Sequence, residues 1–391
     1  MTDPRIDRRR FLARAGGSGL ALTGLPAILA ACGGVEGTQE KAQERSQEQA
    51  ETVSHPKTAI GDWTFSNWPL HMDRKVLRDF NREYGGKVRY LEDINDNYEF
   101  FGKVRQQLEN GDSIGRDIVV LTTYMSQRWV RNGYVEPIDK NNVPNMANLV
   151  DNLKAPEHDP DRKFTLPFQS GAIGLGYNIA KTGRELNSVQ DFFDPEFKGR
   201  VTMLSEPYDA ASTVLLGDGV DASKATVDQL LGAIDKIDEA NSQGQFRRFT
   251  GNDYTTDLAK GNVWVAMAYS GDVVSLQSDN PDLRFAYPEE GAMIFTDELM
   301  MPHGVEHPYA AETMMNYLYE PEVAATLAAY INYISPVKGA QEILQERDPD
   351  IAENELIFPP QDVQDRLRAY PTLDPADERE MQEAMARVTG A

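Results

Sequence analysis

"VWVAMAYSGD", residues 263–272, is an apolar run that ends in a small polar elbow with a carboxylate at its tip. Its β-branched and aromatic residues read as a strand, and Ser270-Gly271 ends it. A buried aspartate is costly unless something pairs with it. Asp272 therefore needs a partner, and two readings are open. It caps the helix that follows, where a carboxylate meets free N–H groups, or it grips a cationic ligand. Both can hold together.

Working outward, the same pattern recurs. "DWTFSNW" (62–68), "KVRYLED" (87–93), "RDIVVLTT" (116–123) and "GRVTML" (199–204) read as further strands. "DRKVLRDFNREYG" (73–85) and "NYEFFGKVRQQLENG" (97–111) carry helical apolar spacing and stop at glycine. Residues 306–331 read as two helices broken near Pro321, and the stripe Ala311, Met314, Met315 and Leu318 reads as core. Strands alternating with helices predict an α/β fold of mixed sheets flanked by helices, and a chain this long predicts two lobes. Ligands in such folds sit beyond the carboxyl ends of strands or between domains, which is where Asp272 falls.

The amino-terminal residues read as an address. Arg8-Arg9-Arg10-Phe11-Leu12 is a twin-arginine pattern, and the short apolar stretch after it closes on Leu29-Ala30-Ala31-Cys32-Gly33. This is similar to a Tat signal peptide (1–31) ending in a lipobox, with Cys32 as the lipidated first residue. A transmembrane anchor would need roughly 20 apolar residues, more than the run provides. Cys32 is the only cysteine, so neither an internal disulfide nor a catalytic thiol is expected in the body. Residues 36–57 are polar and charged, a disordered tether from a membrane lipid to the body. The net charge is −23, and loss of a leader carrying five arginines and two aspartates (+3) takes it to −26. Nucleic acid is an unsuitable partner for such a field, and a small cation a suitable one.

Several sites can be set aside. There is no Gly-x-Ser-x-Gly elbow, phosphate loop or zinc-helix signature. "DINDN" (93–97) opens like a calcium loop, but Tyr98 replaces its glycine and Val104 its last ligand. His303 and His307 lie among prolines and glycine that forbid a regular helix, and "EHDPD" (157–161) reads as a solvated loop. No metal, cofactor or catalytic residue is expected, although paired carboxylates leave a hydrolase open as a reading from another class.

Four strand ends carry aromatic or acidic groups: Asn67-Trp68, Thr122-Thr123-Tyr124, Glu206-Pro207-Tyr208-Asp209 and Tyr269-Ser270-Gly271-Asp272. Phe295-Thr296-Asp297 lies within "GAMIFTDELMMP". Carboxylates that take ammonium groups and aromatic faces that cover methylenes are what an organic polyamine requires. "FSNW", "DIVVLTTYMSQRWVRNGYVEPID", "LPFQSGAIGLGYN", "FKGRVTML", "YSGD", "PEEGAMIFTDELMMP" and "IFPP" follow in order from Asp62 toward Arg387. In these markers the chain resembles the spermidine/putrescine-binding proteins of bacterial ABC importers, which are two-lobed extracellular solute-binding proteins.

The resemblance implies a type 2 periplasmic-binding-protein fold with the ligand cleft between the lobes. Lobe 1 would comprise 58–169 plus 272–330, and lobe 2 would comprise 170–271 plus 331–391. Crossings are expected near Phe168–Gly171, Gly271 and Tyr330–Tyr333. It implies that Trp68 stacks along the ligand while Thr122 and Tyr124 line the first-lobe wall. Glu206 and Asp209 would present acid from the second lobe. Asp272 and Asp297 would grip amines, with Phe295 and Tyr333 as aromatic walls. His71 stands where the family usually has tyrosine, Tyr269 replaces a frequent tryptophan, and Ser170 sits where a bulky aromatic is common, so a shorter diamine or another cation is favoured. A monomeric, lipid-anchored protein at the outer face of the cell membrane, handing solute to a permease, is the expectation. A binder of iron complexes or of another organic cation is the rival within the binding class.

Overall fold

The computed structural model describes residues 53–390. The signal, Cys32 and most of the tether therefore lie outside the described residues. The last tether residues do not hang free. His55 accepts docking contacts from the body: its backbone N–H donates to Asp139 Oδ2 (3.0 Å), and its Nδ1 meets the buried Glu312 Oε1 (2.6 Å). The body thus begins a few residues before Thr58, because a histidine in a polar stretch found a buried carboxylate.

Eleven strands are paired among the described residues: β1 Asp62–Asn67, β2 Lys87–Glu92, β3 Ile118–Thr122, β4 Val135–Glu136, β5 Thr165–Asn178, β6 Val201–Leu204, β7 Phe246–Thr250, β8 Val265–Tyr269, β9 Leu283–Ala286, β10 Ala292–Pro302 and β11 Leu367–Arg368. All five strands expected from the sequence are present. The central path runs β2-β1-β3-β10-β5-β8-β6-β7, with β4 and β11 beside β10 and β9 beside β5. Within each end the strands are parallel, β2-β1-β3 on one side and β8-β6-β7 on the other. Such strands are covered by helices on both faces, which is why "IVVLT" is buried along its whole length.

The helices start and stop on local signals. Asp73 Oδ1 accepts from the Lys75 N–H (2.6 Å) to open the helix Arg74–Tyr84. Asp96 accepts from the Tyr98 and Glu99 N–H groups (2.8 and 2.9 Å) to open Asn97–Asn110. That cap, worth about 1 kcal/mol, accounts for the acidic "DIND" start. Gly111, with φ of 73°, closes the second helix in the left-handed conformation that glycine adopts without strain. The segment 306–331 contains helices Pro308–Leu318 and Pro321–Ile331, and Ala311, Met314, Met315 and Leu318 are buried core.

The two parallel halves are joined through β5 and β10, long strands that the sequence reading left unassigned. Both are buried on each face and β5 carries three glycines, so neither shows the alternation of a half-exposed strand. β10 lies antiparallel to β3 and to β5, and β5 antiparallel to β8. The register then decides where everything points. Thr122 at the end of β3 pairs with Asp297 in the middle of β10, Gly171 pairs with Phe295, and Tyr269 at the end of β8 pairs with Ile173. The carboxyl ends of both halves therefore converge on the midpoint of the β5–β10 pair.

Pairing moves two expected boundaries. Residues 272–286 do not join the first lobe, because β9 pairs with Leu175–Asn178 of β5 and the helix Ser270–Gln277 packs beside it. Gly271 is accordingly no crossing. Residues 331–357 stay with the first lobe: Leu149 bridges Val337, and the helix Ala340–Arg347 packs on Pro321–Ile331. The chain returns with β11, which pairs with Ala292–Met293 of β10, and ends in the helix Pro375–Thr389, which lies on the helix Val227–Ser242. Crossings at β5 near Ser170–Gly171 and at β10 near Asp297 are joined by this late third one.

Candidate functional site

Where the strand ends converge there is a small, partly open cavity of about 20 Å³. That is room for about one water-sized group. Eight of the eleven residues expected at the site line it: Trp68, His71, Thr122, Asp209, Tyr269, Phe295, Asp297 and Tyr333. Asn252 and Tyr370 complete the lining, and no lysine or arginine is among these side chains.

Each position follows from the chain around it. Trp68 and His71 follow the end of β1, Tyr269 ends β8, and Phe295 and Asp297 point from the middle of β10. Tyr333 is seated between two glycines. A Cβ at Gly171 would stand 2.6 Å from its ring, and one at Gly271 would stand 2.7 Å away. The "SGD" elbow therefore needs glycine for the close approach of an aromatic wall. The rings pack edge to face around the space: Tyr269 on Phe295 (5.1 Å between centroids), Phe295 on Tyr333 (5.7 Å) and His71 on Tyr333 (5.0 Å).

Asp272 finds its partners within the protein. It lies in the first turn of the helix Ser270–Gln277 but accepts no capping N–H. Its Oδ2 accepts from the Tyr254 hydroxyl (2.7 Å) and its Oδ1 from the Tyr333 hydroxyl (3.0 Å), one layer behind the lining. Asp209 is held alike, by the hydroxyls of Tyr269 (2.7 Å) and Tyr370 (2.6 Å). Asp297 differs: Thr122 Oγ1 donates to its Oδ1 (2.9 Å), and among the described residues its Oδ2 has no donor within hydrogen-bond distance. His71 Nδ1 stands 3.9 Å from that oxygen, which is no ion pair, because burial drives the histidine down to about 3 and leaves the ring neutral.

Glu206 and Tyr124 do other work. Glu206 Oε1 accepts from the backbone N–H of Asn97 (2.7 Å) and from its Nδ2 (3.0 Å), while the Tyr124 hydroxyl donates to Oε2 (2.5 Å). Beside it, Ser205 Oγ donates to Asp96 Oδ2 (2.9 Å). Glu206 is a latch from the second half onto the first, outside the lining. Residue type alone could not separate a latch from a ligand carboxylate, since both sit at the end of a strand.

Burial is the dominant influence on these acids. It pushes Asp297 up to about 7, with Thr122 opposing and the charges of Asp209, Glu298 and Asp272 adding to the rise. Asp272 is pushed to about 6, opposed by Tyr254 and Tyr333, and Asp209 and Glu206 are pushed upward in the same way. Glu298, next in sequence to Asp297 and equally buried, behaves oppositely. Burial works against its charge, yet His158 (2.9 Å) and Arg162 (2.6 Å) hold it down to about 2. "EHDPD" is thus no solvated loop: His158 joins this network, and the buried Asp159 accepts the backbone N–H groups of Lys163, Phe164 and Thr165. The acid that has a cation is structural. The acids around the cavity lack one.

A pH dependence follows. Asp272 and Asp297 have folded values raised above the usual 3.8, so their stability contribution is complete below that value and is lost as pH rises through about 6 to 7. Thermal unfolding of the ligand-free protein should show a falling midpoint from about pH 4 to about pH 7, and a bound cation should flatten that fall. A midpoint that climbs over this range without ligand would contradict the assignment.

Sequence reasoning missed Tyr370, Asn252 and Asn97. Tyr370 arrives from the tail after the third crossing, and no local signal tied it to Asp209.

The family model for bacterial extracellular solute-binding proteins matches residues 75–359. The chain belongs to this family. The putrescine-binding periplasmic protein PotF of Escherichia coli is 29% identical over 343 residues, covering 82% of this chain and 90% of PotF. The spermidine/putrescine-binding periplasmic protein of the same organism is 23% identical over 296 residues, 75% of this chain and 82% of that one. Among solved structures, a putative spermidine/putrescine ABC transporter protein of Listeria monocytogenes superposes with a TM-score of 0.75 at 23% identity, covering 84% of this chain and 98% of that one. The binding protein AgtB of Agrobacterium tumefaciens in complex with agropinic acid superposes at 0.69 with 20% identity, covering 85% and 100%. These structures share the two-lobed α/β fold predicted here, and membership of a solute-binding family removes the hydrolase reading. The fold evidently accepts different solutes, so a solute-binding family member's ligand has to be argued from its own cavity.

Proposed function

We propose that the chain is the polyamine-capturing component of a bacterial ABC importer, taking a short diamine such as putrescine and presenting it to a membrane permease. One observation carries this: buried carboxylates ring a small aromatic-walled space and have no basic side chain to neutralise them. An isolated buried carboxylate is unfavourable, so a dication that enters relieves the site as it is bound. Aromatic faces supply about 0.5–2 kcal/mol each toward a desolvated ammonium. The family relatives named for putrescine and spermidine support the same solute class.

The lobes act as a clam hinged where β5 and β10 cross. Closure brings Glu206 onto Asn97 and Tyr124, completing the latch only when the cleft is shut. The twin-arginine and lipobox pattern supports export by the Tat route and anchoring through Cys32, with the protein working as a monomer at the outer face of the membrane. The rival iron-complex reading finds less support, because the tyrosine hydroxyls of Tyr124, Tyr254 and Tyr269 are already committed to carboxylates.

Thermal unfolding with putrescine, spermidine and the neutral diol of putrescine's length tests the proposal. A ligand at a hundredfold its Kd stabilises by about 2.7 kcal/mol, so putrescine should raise the midpoint in a concentration-dependent way and the diol should not. No shift with any amine would end the reading.

A further inference from the structure

His71, like Trp68, is a lining side chain whose polar atoms all lack a partner among the described residues, and of the two only His71 has a lone pair to offer. It is 4% exposed, faces the cavity, and neither Nδ1 nor Nε2 has a hydrogen-bond partner among the described residues. Buried polar atoms without partners are rare and costly, so two on one ring mark a place where something else belongs. The ring packs edge-on against Tyr333, and its Nδ1 stands 3.9 Å from Asp297 Oδ2. That gap is too long for a hydrogen bond but can be spanned by one nitrogen at about 2.8 Å from each atom. Oδ2 is also the oxygen of Asp297 that Thr122 leaves free.

Resting on the cation-binding reading above, we propose that His71 is a neutral second acceptor beside Asp297, so that this end of the cavity selects a primary ammonium, with N–H bonds to give to both, over its N-methylated counterparts. In this role Nδ1 carries the lone pair and Nε2 the proton. The groups facing the ring are Asp297 from β10, Tyr333 from the segment after the helix Pro321–Ile331 and, across the cavity, Asp209. None is cationic, so an ammonium meets only acceptors here. Each methyl keeps the charge and the attraction to Asp297 but removes one N–H donor, so the dimethyl nitrogen can serve only one acceptor and the trimethyl nitrogen leaves the imidazole unpartnered.

Calorimetry of the full chain with putrescine and with its N,N-dimethyl and N,N,N-trimethyl derivatives gives the test, on wild type, His71→Gln and His71→Phe. Loss of a hydrogen bond to a charged group corresponds to roughly ten- to a hundredfold in affinity. Wild type should prefer putrescine over the trimethyl derivative by at least about tenfold. His71→Gln, which keeps an acceptor, should retain most of that preference, and His71→Phe should lose it while weakening putrescine. In the wild-type protein, the imidazole nitrogen chemical shifts should report a neutral ring whose Nδ1 signal moves on adding putrescine and stays put with the trimethyl derivative, a readout that does not depend on the variants folding. An unchanged preference in a folded His71→Phe, or an Nδ1 signal indifferent to putrescine, overturns the role of His71 alone. Absence of binding by every amine in wild type overturns the cation-binding reading beneath it as well.

Discussion

Asp297→Asn is expected to weaken putrescine binding by roughly a hundredfold while leaving the ligand-free protein as stable as before, or more so near pH 8. The loss follows from geometry: Asp297 alone among the lining acids has an oxygen with no donor among the described residues, so its charge is the one most directly spent on an ammonium. A charge-assisted hydrogen bond contributes about 1.5–3 kcal/mol, and about 2.7 kcal/mol corresponds to a factor of a hundred. The gain follows from burial. Asp297 is 2% exposed and its acid form is favoured up to about pH 7, so at higher pH the empty site holds a charge it would shed if it could. Asparagine keeps an oxygen for Thr122 and removes that charge. Titration calorimetry measures the first effect and thermal unfolding the second. Affinity within threefold of wild type, or a clear fall in ligand-free stability, would contradict the assignment of Asp297 to the ligand.

Arg162→Met is expected to do the reverse, costing stability of about 3–5 kcal/mol with little direct effect on solute contacts, because it strands a buried carboxylate. Glu298 and Arg162 are each 1% exposed, joined at 2.6 Å, and the same guanidinium donates to Leu153 O through Nε (3.0 Å) and Nη2 (2.6 Å). Arg162 also holds a positive φ of 50°, so the backbone is bent to deliver this side chain. Chemical denaturation should show the loss, and Glu298→Gln placed in the same background should recover much of it by removing the unpaired charge. A loss below about 1 kcal/mol would mean that His158 alone suffices for Glu298. The two substitutions probe neighbours in one strand, Asp297 and Glu298, at the irregularity where β10 slips against β5. One carboxylate faces the cavity and the other a buried cation, and their opposite shifts come from that difference in company.

Much of this was legible without coordinates. Strand ends bearing Trp68, Thr122 and Tyr269 were recognisable because apolar runs that stop at small or polar residues mark the carboxyl edge of a sheet, where ligands collect. Asp209 and Tyr333 were carried by the family resemblance, and they line the same space. The lobe boundaries were not legible. β5 and β10 are buried on both faces and lack alternation, and β9 is a short strand whose membership depends on a partner more than a hundred residues earlier in the chain.

The amino-acid sequence alone determined the α/β class, the convergence of acidic and aromatic groups at strand ends, and the absence of a thiol from the body, since these rest on local pattern and residue type. Only the tertiary structure decided which acids line the cavity. It assigned Glu206 to a latch, Asp272 to a tyrosine-held second layer and Asp297 to the cavity, and it brought Tyr370 in from the tail. The physical reason is that a carboxylate's role depends on which donors surround it after folding, and those donors come from segments that nothing in the local sequence links.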